Sequence, residues 1–470
     1  MLNSKFYACL MLCCSLSVYV NGQTFKSDVL RFDEFMGFVK TYHPIVKQAE
    51  LLIDESQAKL MKARGGFDPK MEVDYARKKF KDAVYYDTLD AAFKIPTWYG
   101  IELKGAFEDA DGVFLNPENT FPDEGLYSAG VSFSIARGFL INERMVALKQ
   151  AKIYREQAKA DRDILVNTVL YEAALGYFNW LQAYNENLIF EDFLYNAQVR
   201  FKGVKKYVEV GELPTIDSIE ARIVVNDRKL NLENSRLKLM KAKLELSNYL
   251  WINDNVPIEL EETIIPDVNS ALVVDQTLNI DLIITEMFQV DEHPKLKSLS
   301  TKYEQFVLNK RLKMNLLLPK IDLQYNFLSE TPEVVRSFSA SAYKSGLHIS
   351  FPLFLRKERA DLKLAKLKLK DTEYEMISTK VTLQNKIQAL KKELASLSVQ
   401  NSIFEDVLED YEQMLTAEER KFTLGESSLF LVNSREGKLI DAKLKAIELQ
   451  NKLLSSKALL FNKLALNPNL

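Results

Sequence analysis

Histidine and cysteine are the side chains best suited to hold a metal or attack a substrate, and their placement here allows neither. His43, His293 and His348 are far apart in sequence, so no His-x-x-x-His or similar local ligand pair exists. Cys9, Cys13 and Cys14 all lie in the first fourteen residues, which leaves no thiol nucleophile and no disulfide framework downstream. Carboxylates are plentiful, 65 Asp plus Glu, and a pair of them could catalyse hydrolysis, but nothing fixes two at a shared site. The expectation is a protein with no catalytic residue, no cofactor and no metal. With 62 Lys plus Arg the formal charge is −3, the wrong sign for a protein that grips a phosphate backbone, so nucleic acid is not an expected partner.

The elements that carry these residues begin with a leader. Lys5, the apolar run Phe6 to Val20 and the small-residue end Val20-Asn21-Gly22 form a secretory signal peptide over residues 1–22. A lipoprotein anchor on Cys13 or Cys14 would need a small residue before the cysteine and finds Leu12 or Cys13. Removing Lys5 takes the charge from −3 to −4. No later apolar run reaches eighteen residues, so no transmembrane helix is expected. The chain has 470 residues and is 47% hydrophobic, with only 16 Gly and 13 Pro, which favours long helices over a turn-rich sheet fold.

Internal repetition organises the rest. His43-Pro44 recurs as His293-Pro294, Pro69-Lys70 as Pro319-Lys320 and Tyr75 as Tyr325, each 250 residues apart. Gly130-Val131-Ser132-Phe133-Ser134 resembles Gly346-Leu347-His348-Ile349-Ser350 at an offset of 216, and Gly211-Glu212 returns as Gly425-Glu426 at 214. The change of offset places an insertion of about 34 residues in the first copy, between Tyr75 and Gly130. The chain therefore divides into a first repeat over 23–250, a linker over 251–290 and a second repeat over 291–470. Each repeat reads as a helix of about twenty residues, strands, a very long helix, a tight turn and a returning helix.

The long helices are expected over Asn142–Glu209 and Arg356–Leu424, each roughly 100 Å at 1.5 Å per residue. They need partners along their length, which the returning segments 217–251 and 428–466 supply as coiled-coil-like pairs. Gly211-Glu212-Leu213-Pro214 and Gly425-Glu426-Ser427-Ser428 are the hairpin tips, with glycine ending one helix and Pro or Ser opening the next. Pro44 and Pro294 suit a first helical turn, so His43 and His293 mark helix starts.

Period-two alternation marks Met71–Tyr75, Ile101–Lys104, Val131–Ile135, Ile321–Phe327 and Leu347–Phe351 as strands. Three readings fit: a soluble sandwich, a sheet covering helices, or a membrane barrel. A membrane sheet must close, and eight strands is about the smallest usual barrel. At two strands per repeat one chain has too few, and three copies of four would give twelve. The segment 77–125 is left open, except that it must add an even number of crossings or none.

These residues resemble the TolC-like outer-membrane efflux and secretion channels, the outer membrane factors. The resemblance rests on the duplicated His-Pro, Leu-Pro-Lys-Ile-Asp-Leu at 318–323, Ser-Phe-Pro-Leu-Phe at 350–354 and Val-Gly-Glu-Leu at 210–213, in this order and spacing. It implies an α+β membrane protein: a homotrimeric 12-stranded outer-membrane β-barrel continued by a long periplasmic α-helical barrel, with an equatorial belt. It further implies a passive exit duct for small molecules or polypeptides in a tripartite efflux pump or type I secretion system. Its partners would be outer-membrane lipid, a periplasmic adaptor (membrane fusion protein) and, through it, an inner-membrane transporter. A secreted periplasmic coiled-coil scaffold is the alternative.

On this resemblance Gly211, Glu212, Gly425 and Glu426 form the adaptor-docking tips. Asp217 and Glu220 follow the first tip glycine at the family's acidic spacing and would narrow the channel mouth; the second repeat has Leu431 and Ser434 there, a departure from a fully duplicated acidic ring. Asp217 could equally cap the returning helix. Trp98, Tyr99, Tyr127, Phe351 and Phe354 could form aromatic girdles at the bilayer edges, or serve sheet packing alone. His348 lies on the polar side of its strand. Trp180 and Trp251 stand at similar heights above the tip and could share the belt layer.

Overall fold

The computed structural model describes residues 28–117, 120–280, 289–332 and 339–467; the leader expected over 1–22 lies outside them. In chain order the elements are β1 (Val29–Leu30), α1 (Phe32–Tyr42), α2 (Pro44–Arg64), β2 (Lys70–Phe80), β3 (Ala83–Pro96), β4 (Ile101–Asp111), β5 (Leu126–Ser134), α3 (Glu143–Glu209) and α4 (Thr215–Ser247). There follow β6 (Trp251–Ile252), β7 (Val256–Pro257), β8 (Ile265–Pro266), α5 (Val274–Thr277), α6 (Pro294–Asn315), β9 (Lys320–Ser329), β10 (Tyr343–Ser350), α7 (Arg356–Thr423) and α8 (Leu429–Leu464). The duplication is plain: α2, strands, α3, α4 in one half and α6, strands, α7, α8 in the other.

Both long helices form where the absence of proline allows them. α3 has 67 residues and opens on Asn142, whose side chain accepts the Met145 N–H at 2.9 Å; α7 has 68. Neither stands alone. α2 and α4 lie along successive lengths of α3, α6 and α8 along α7, and α8 also packs on α3, so the two hairpins form one sheet of helices. The two shorter helices start alike. His43 and His293 are buried N-caps, each accepting through Nδ1 the backbone N–H two residues on (Ile45 at 3.3 Å, Lys295 at 3.0 Å), with proline at the first helical position.

The main core sits midway, where α1 and the linker wrap the helices. Phe32, Phe35, Met36 and Val39 of α1 pack against Tyr177, Phe178 and Trp180 of α3, all fully or almost fully buried. Tyr177 donates its hydroxyl proton to the Leu30 carbonyl at 2.8 Å and lies 2.9 Å from Ser270 Oγ, which ties β1 and the linker to the long helix. Burial pushes that phenol above its ordinary value. β1 pairs in parallel with β8 across the same layer. Trp251 is half-buried there too, its ring edge toward His43 at 6.2 Å.

The strands form one antiparallel six-stranded sheet in the order β10-β9-β5-β4-β3-β2. This corrects the count of two strands per repeat: the first repeat supplies four, so three copies would carry eighteen strands rather than twelve. Within 77–125 the chain adds the end of β2, then β3 and β4, which is two extra crossings and thus an even number. β3 escapes sequence reading because doublets (Tyr85-Tyr86, Ala91-Ala92) break its alternation and a register shift at Lys78/Lys79 breaks that of β2. Their turn is Lys81-Asp82, both left-handed at φ 50° and 63°, a mirror-image turn made without the usual Asn-Gly.

Candidate functional site: sheet wall and helical tips

Registers decide what each sheet face carries. One row of paired residues runs Met71, Phe93, Gly105, Ala129, Phe327, Tyr343; the next on that side runs Val73, Ala91, Phe107, Tyr127. The opposite side has the row Lys70, Lys94, Lys104, Gly130, Asn326, Lys344, and beside it Glu102, Ser132 and Gln324. Alternation on six strands is thus in phase, giving one apolar and one polar face. Cross-strand ion pairs decorate the polar face: Glu72 with Lys94, and Lys344 with Glu108 at 3.7 Å. No long helix packs on either face, and Met71, Val73, Tyr75, Leu347 and Ile349 are each more than half exposed. Such an apolar face costs free energy in water, at about 25 cal/mol per Å². Among the described residues no helix is long and apolar enough to cross a membrane.

The aromatic candidates fall at the two ends of this sheet. Trp98 and Tyr99 occupy the β3–β4 turn at its base, where Trp98 stacks on Phe67 at 5.6 Å and its carbonyl accepts from Asn142. Phe351 and Phe354 follow β10 at the same end and are exposed. Tyr127 stands at the outer end, 4.8 Å from the Phe107 ring. His348 pairs with Asp322 in register and lies on the polar face.

At the far end the two hairpin turns are built alike. Gly211 and Gly425 adopt φ 82° and 78°, a conformation only glycine takes without strain, so Glu212 N–H reaches the Tyr207 carbonyl and Glu426 N–H the Lys421 carbonyl, both at 2.9 Å. Leu213 packs with Phe201, Val208 and Phe422 over buried Val204, Ala221 and Leu429, which sets the tips side by side. Asp217 lies in the first turn of α4 and is half-buried; Pro214 is the N-cap of that helix and provides no side-chain hydrogen bond. Glu220 accepts from Asn433 Nδ2 at 3.0 Å, a bond between the two hairpins.

Sequence reading missed a buried ion cluster just above. Glu436 of α8 is 1% exposed and receives Arg200 of α3 at 2.9 Å and Arg228 of α4 at 3.3 Å, while Arg200 also reaches Glu419 of α7 at 3.1 Å. All four long helices meet in it. The available signal was an acid among buried Val432, Leu439 and Ile440, four before and three and four after it, where the helical period calls for an apolar residue. Among the described residues no cluster of metal-ligating side chains occurs.

The chain thus joins a sheet with one mainly apolar face to paired helices about 100 Å long. Residues 292–465 match the family described as "Outer membrane efflux protein". The whole chain has the fold of outer membrane channels of known structure. It superposes on the Campylobacter jejuni CmeC outer membrane channel with a TM-score of 0.64 at 14% identity, covering 92% of this chain and 85% of that one. For the open state of the Neisseria gonorrhoeae MtrE outer membrane channel the TM-score is 0.65 at 13% identity, with coverage of 93% and 89%. For the Vibrio cholerae outer membrane protein VceC it is 0.65 at 13% identity, with coverage of 92% and 95%. No curated protein matches the sequence.

Proposed function

We propose that this chain is the outer-membrane channel of a tripartite efflux pump or of a secretion system of similar build, a passive duct through which small molecules or polypeptides leave the cell. The observation that carries the reading is the in-phase register of the six strands, which leaves a mainly apolar face uncovered beside a mainly polar one. Lipid would cover the first face and the second would line water. The same face argues against a soluble coiled-coil scaffold. Three copies would complete the ring, with α3, α4, α7 and α8 of each extending it into the periplasm as a tube.

The tips at Gly211-Glu212 and Gly425-Glu426 would meet a periplasmic adaptor that leads to an inner-membrane transporter. Exposed Val210, Ile216, Leu424 and Phe430 beside them offer apolar contact for such a partner. Asp217, an acid in the first turn of α4, would place three carboxylates around the mouth and favour cations there; Glu220, held by Asn433, would brace that turn. Detergent-extracted protein should weigh as a trimer and conduct in a planar bilayer. A water-soluble, non-conducting monomer refutes the duct. Asp217→Ala should raise conductance or weaken block by cations, and a channel unchanged in both refutes the carboxylate ring.

A further inference from the structure

We infer that the subunits join by pairing β2 of one copy with β10 of the next, in a fixed register with Val73 opposite Leu347, and so close an eighteen-stranded ring. This rests on the duct reading above. Within one chain β2 and β10 are the two unpaired edges of the sheet, and both are exposed along their whole length. An unpaired edge cannot face lipid, because its N–H and C=O groups would have no partner. Six alternating strands leave the edges antiparallel to each other, so a copy of this chain presents the complementary edge in the orientation needed.

The strand stagger supports a ring and sets its register. The row that begins at Met71, one residue above the base of β2, ends at Tyr343, seven residues above the base of β10. A rise of six residues is about 20 Å, and five strand spacings span about 24 Å, which gives a tilt of about 40°. That is the tilt of a closed membrane barrel. The row climbs by about one residue per strand, so the next copy's β10 should meet Met71 near its own base, at Ser350. Only an even sum of the two residue numbers keeps apolar side chains on the lipid side. Of the two neighbours of Ser350 that satisfy this, Ile349 lies within β10 and Phe351 beyond it, and Met71 opposite Ile349 puts Val73 opposite Leu347 and Glu72 opposite His348.

Charge agrees with this pairing. On the polar face β2 carries Lys70, Glu72, Asp74 and Lys78, and β10 carries Lys344 and His348. In the inferred register Glu72 lies opposite His348 and Asp74 on the diagonal to Lys344, where such pairs are favourable. At that tilt eighteen strands enclose a ring about 35 Å across, against about 24 Å for twelve. The inserted hairpin therefore widens the outer mouth.

Disulfide trapping in the assembled protein tests this, since no native cysteine follows Cys14. β2 and β10 of one chain are about 24 Å apart along the sheet, beyond the roughly 7 Å a disulfide can bridge, so any bond is between copies. Oxidised membranes carrying Val73→Cys with Leu347→Cys should yield linked dimers and trimers, no larger species, and at least tenfold more linked chain than Val73→Cys with His348→Cys, which puts the thiols on opposite faces. Equal linkage by the two pairs, or a ladder past three, overturns the inference. So does linkage through Leu103→Cys with Leu347→Cys, which would mean that only four strands per copy form the wall; conducting trimers would then leave the duct itself standing. Monomers without conductance would remove both.

Discussion

Glu436→Ala should loosen the helical tube just above its tips without unfolding the sheet. The carboxylate is 1% exposed and lies between the guanidiniums of Arg200 and Arg228, themselves only 13% and 14% exposed. Breaking a buried ion pair from one side costs about 3–5 kcal/mol, most of it from the charge left behind. Arg200 retains Glu419 and Asn433, so the lower end applies, about 3 kcal/mol. At 1.36 kcal/mol per decade this is about a 150-fold larger equilibrium constant for local opening. Hydrogen exchange of the extracted protein reads it directly: amides near Arg200, Arg228 and Glu436 should exchange about a hundredfold faster, while those around Tyr177 keep their rate. Glu436→Gln, which keeps the shape and one acceptor, should fall between. Exchange within threefold of the parent at all three helices would refute the reasoning, since it would mean that the cluster adds nothing to the pairing of the hairpins.

The two histidine caps should make the helical section sensitive to mild acid. Burial holds both imidazoles below their ordinary pKa, so the unfolded chain binds protons first as pH falls, and stability drops from about pH 6.5 downward to the lower folded values. Protonation also destroys the Nδ1 acceptor that caps α2 and α6. The denaturation midpoint should therefore decline across that window, and the pair His43→Asn with His293→Asn, which still caps, should flatten the slope. Gly130 and Gly346 occupy equivalent places in the duplicated motif but should differ on substitution. A Cβ at Gly130 would collide with the Tyr325 carbonyl and Asn326 across β5 and β9, costing about 1–3 kcal/mol; one at Gly346 meets nothing within the chain. Heat stability of the extracted protein should fall for Gly130→Ala, whose Cβ collides within its own chain.

Much of this protein is written locally. Proline-free stretches fix the two long helices to within a residue or two. His-Pro fixes the start of α2 and α6, and the glycines at 211 and 425 fix the hairpin turns, because each of these depends on a few neighbouring residues and on the backbone angles they tolerate. The duplication is legible for the same reason. Strands with strict alternation, such as Ile321–Phe327, declare their two faces.

What the sequence could not decide involves partners far along the chain. β3 has weak alternation and becomes a strand only because β2 and β4 flank it, so the strand count depended on the assembled sheet. Glu436 looks like any helical acid until Arg200 and Arg228, more than two hundred residues away, close over it. Gly130 and Gly346 share a motif, yet one lies between two strands and the other on an edge. Periodicity reports which side of an element is apolar; what lies against that side is settled by long-range packing, where the energy of burying or pairing a group is actually decided.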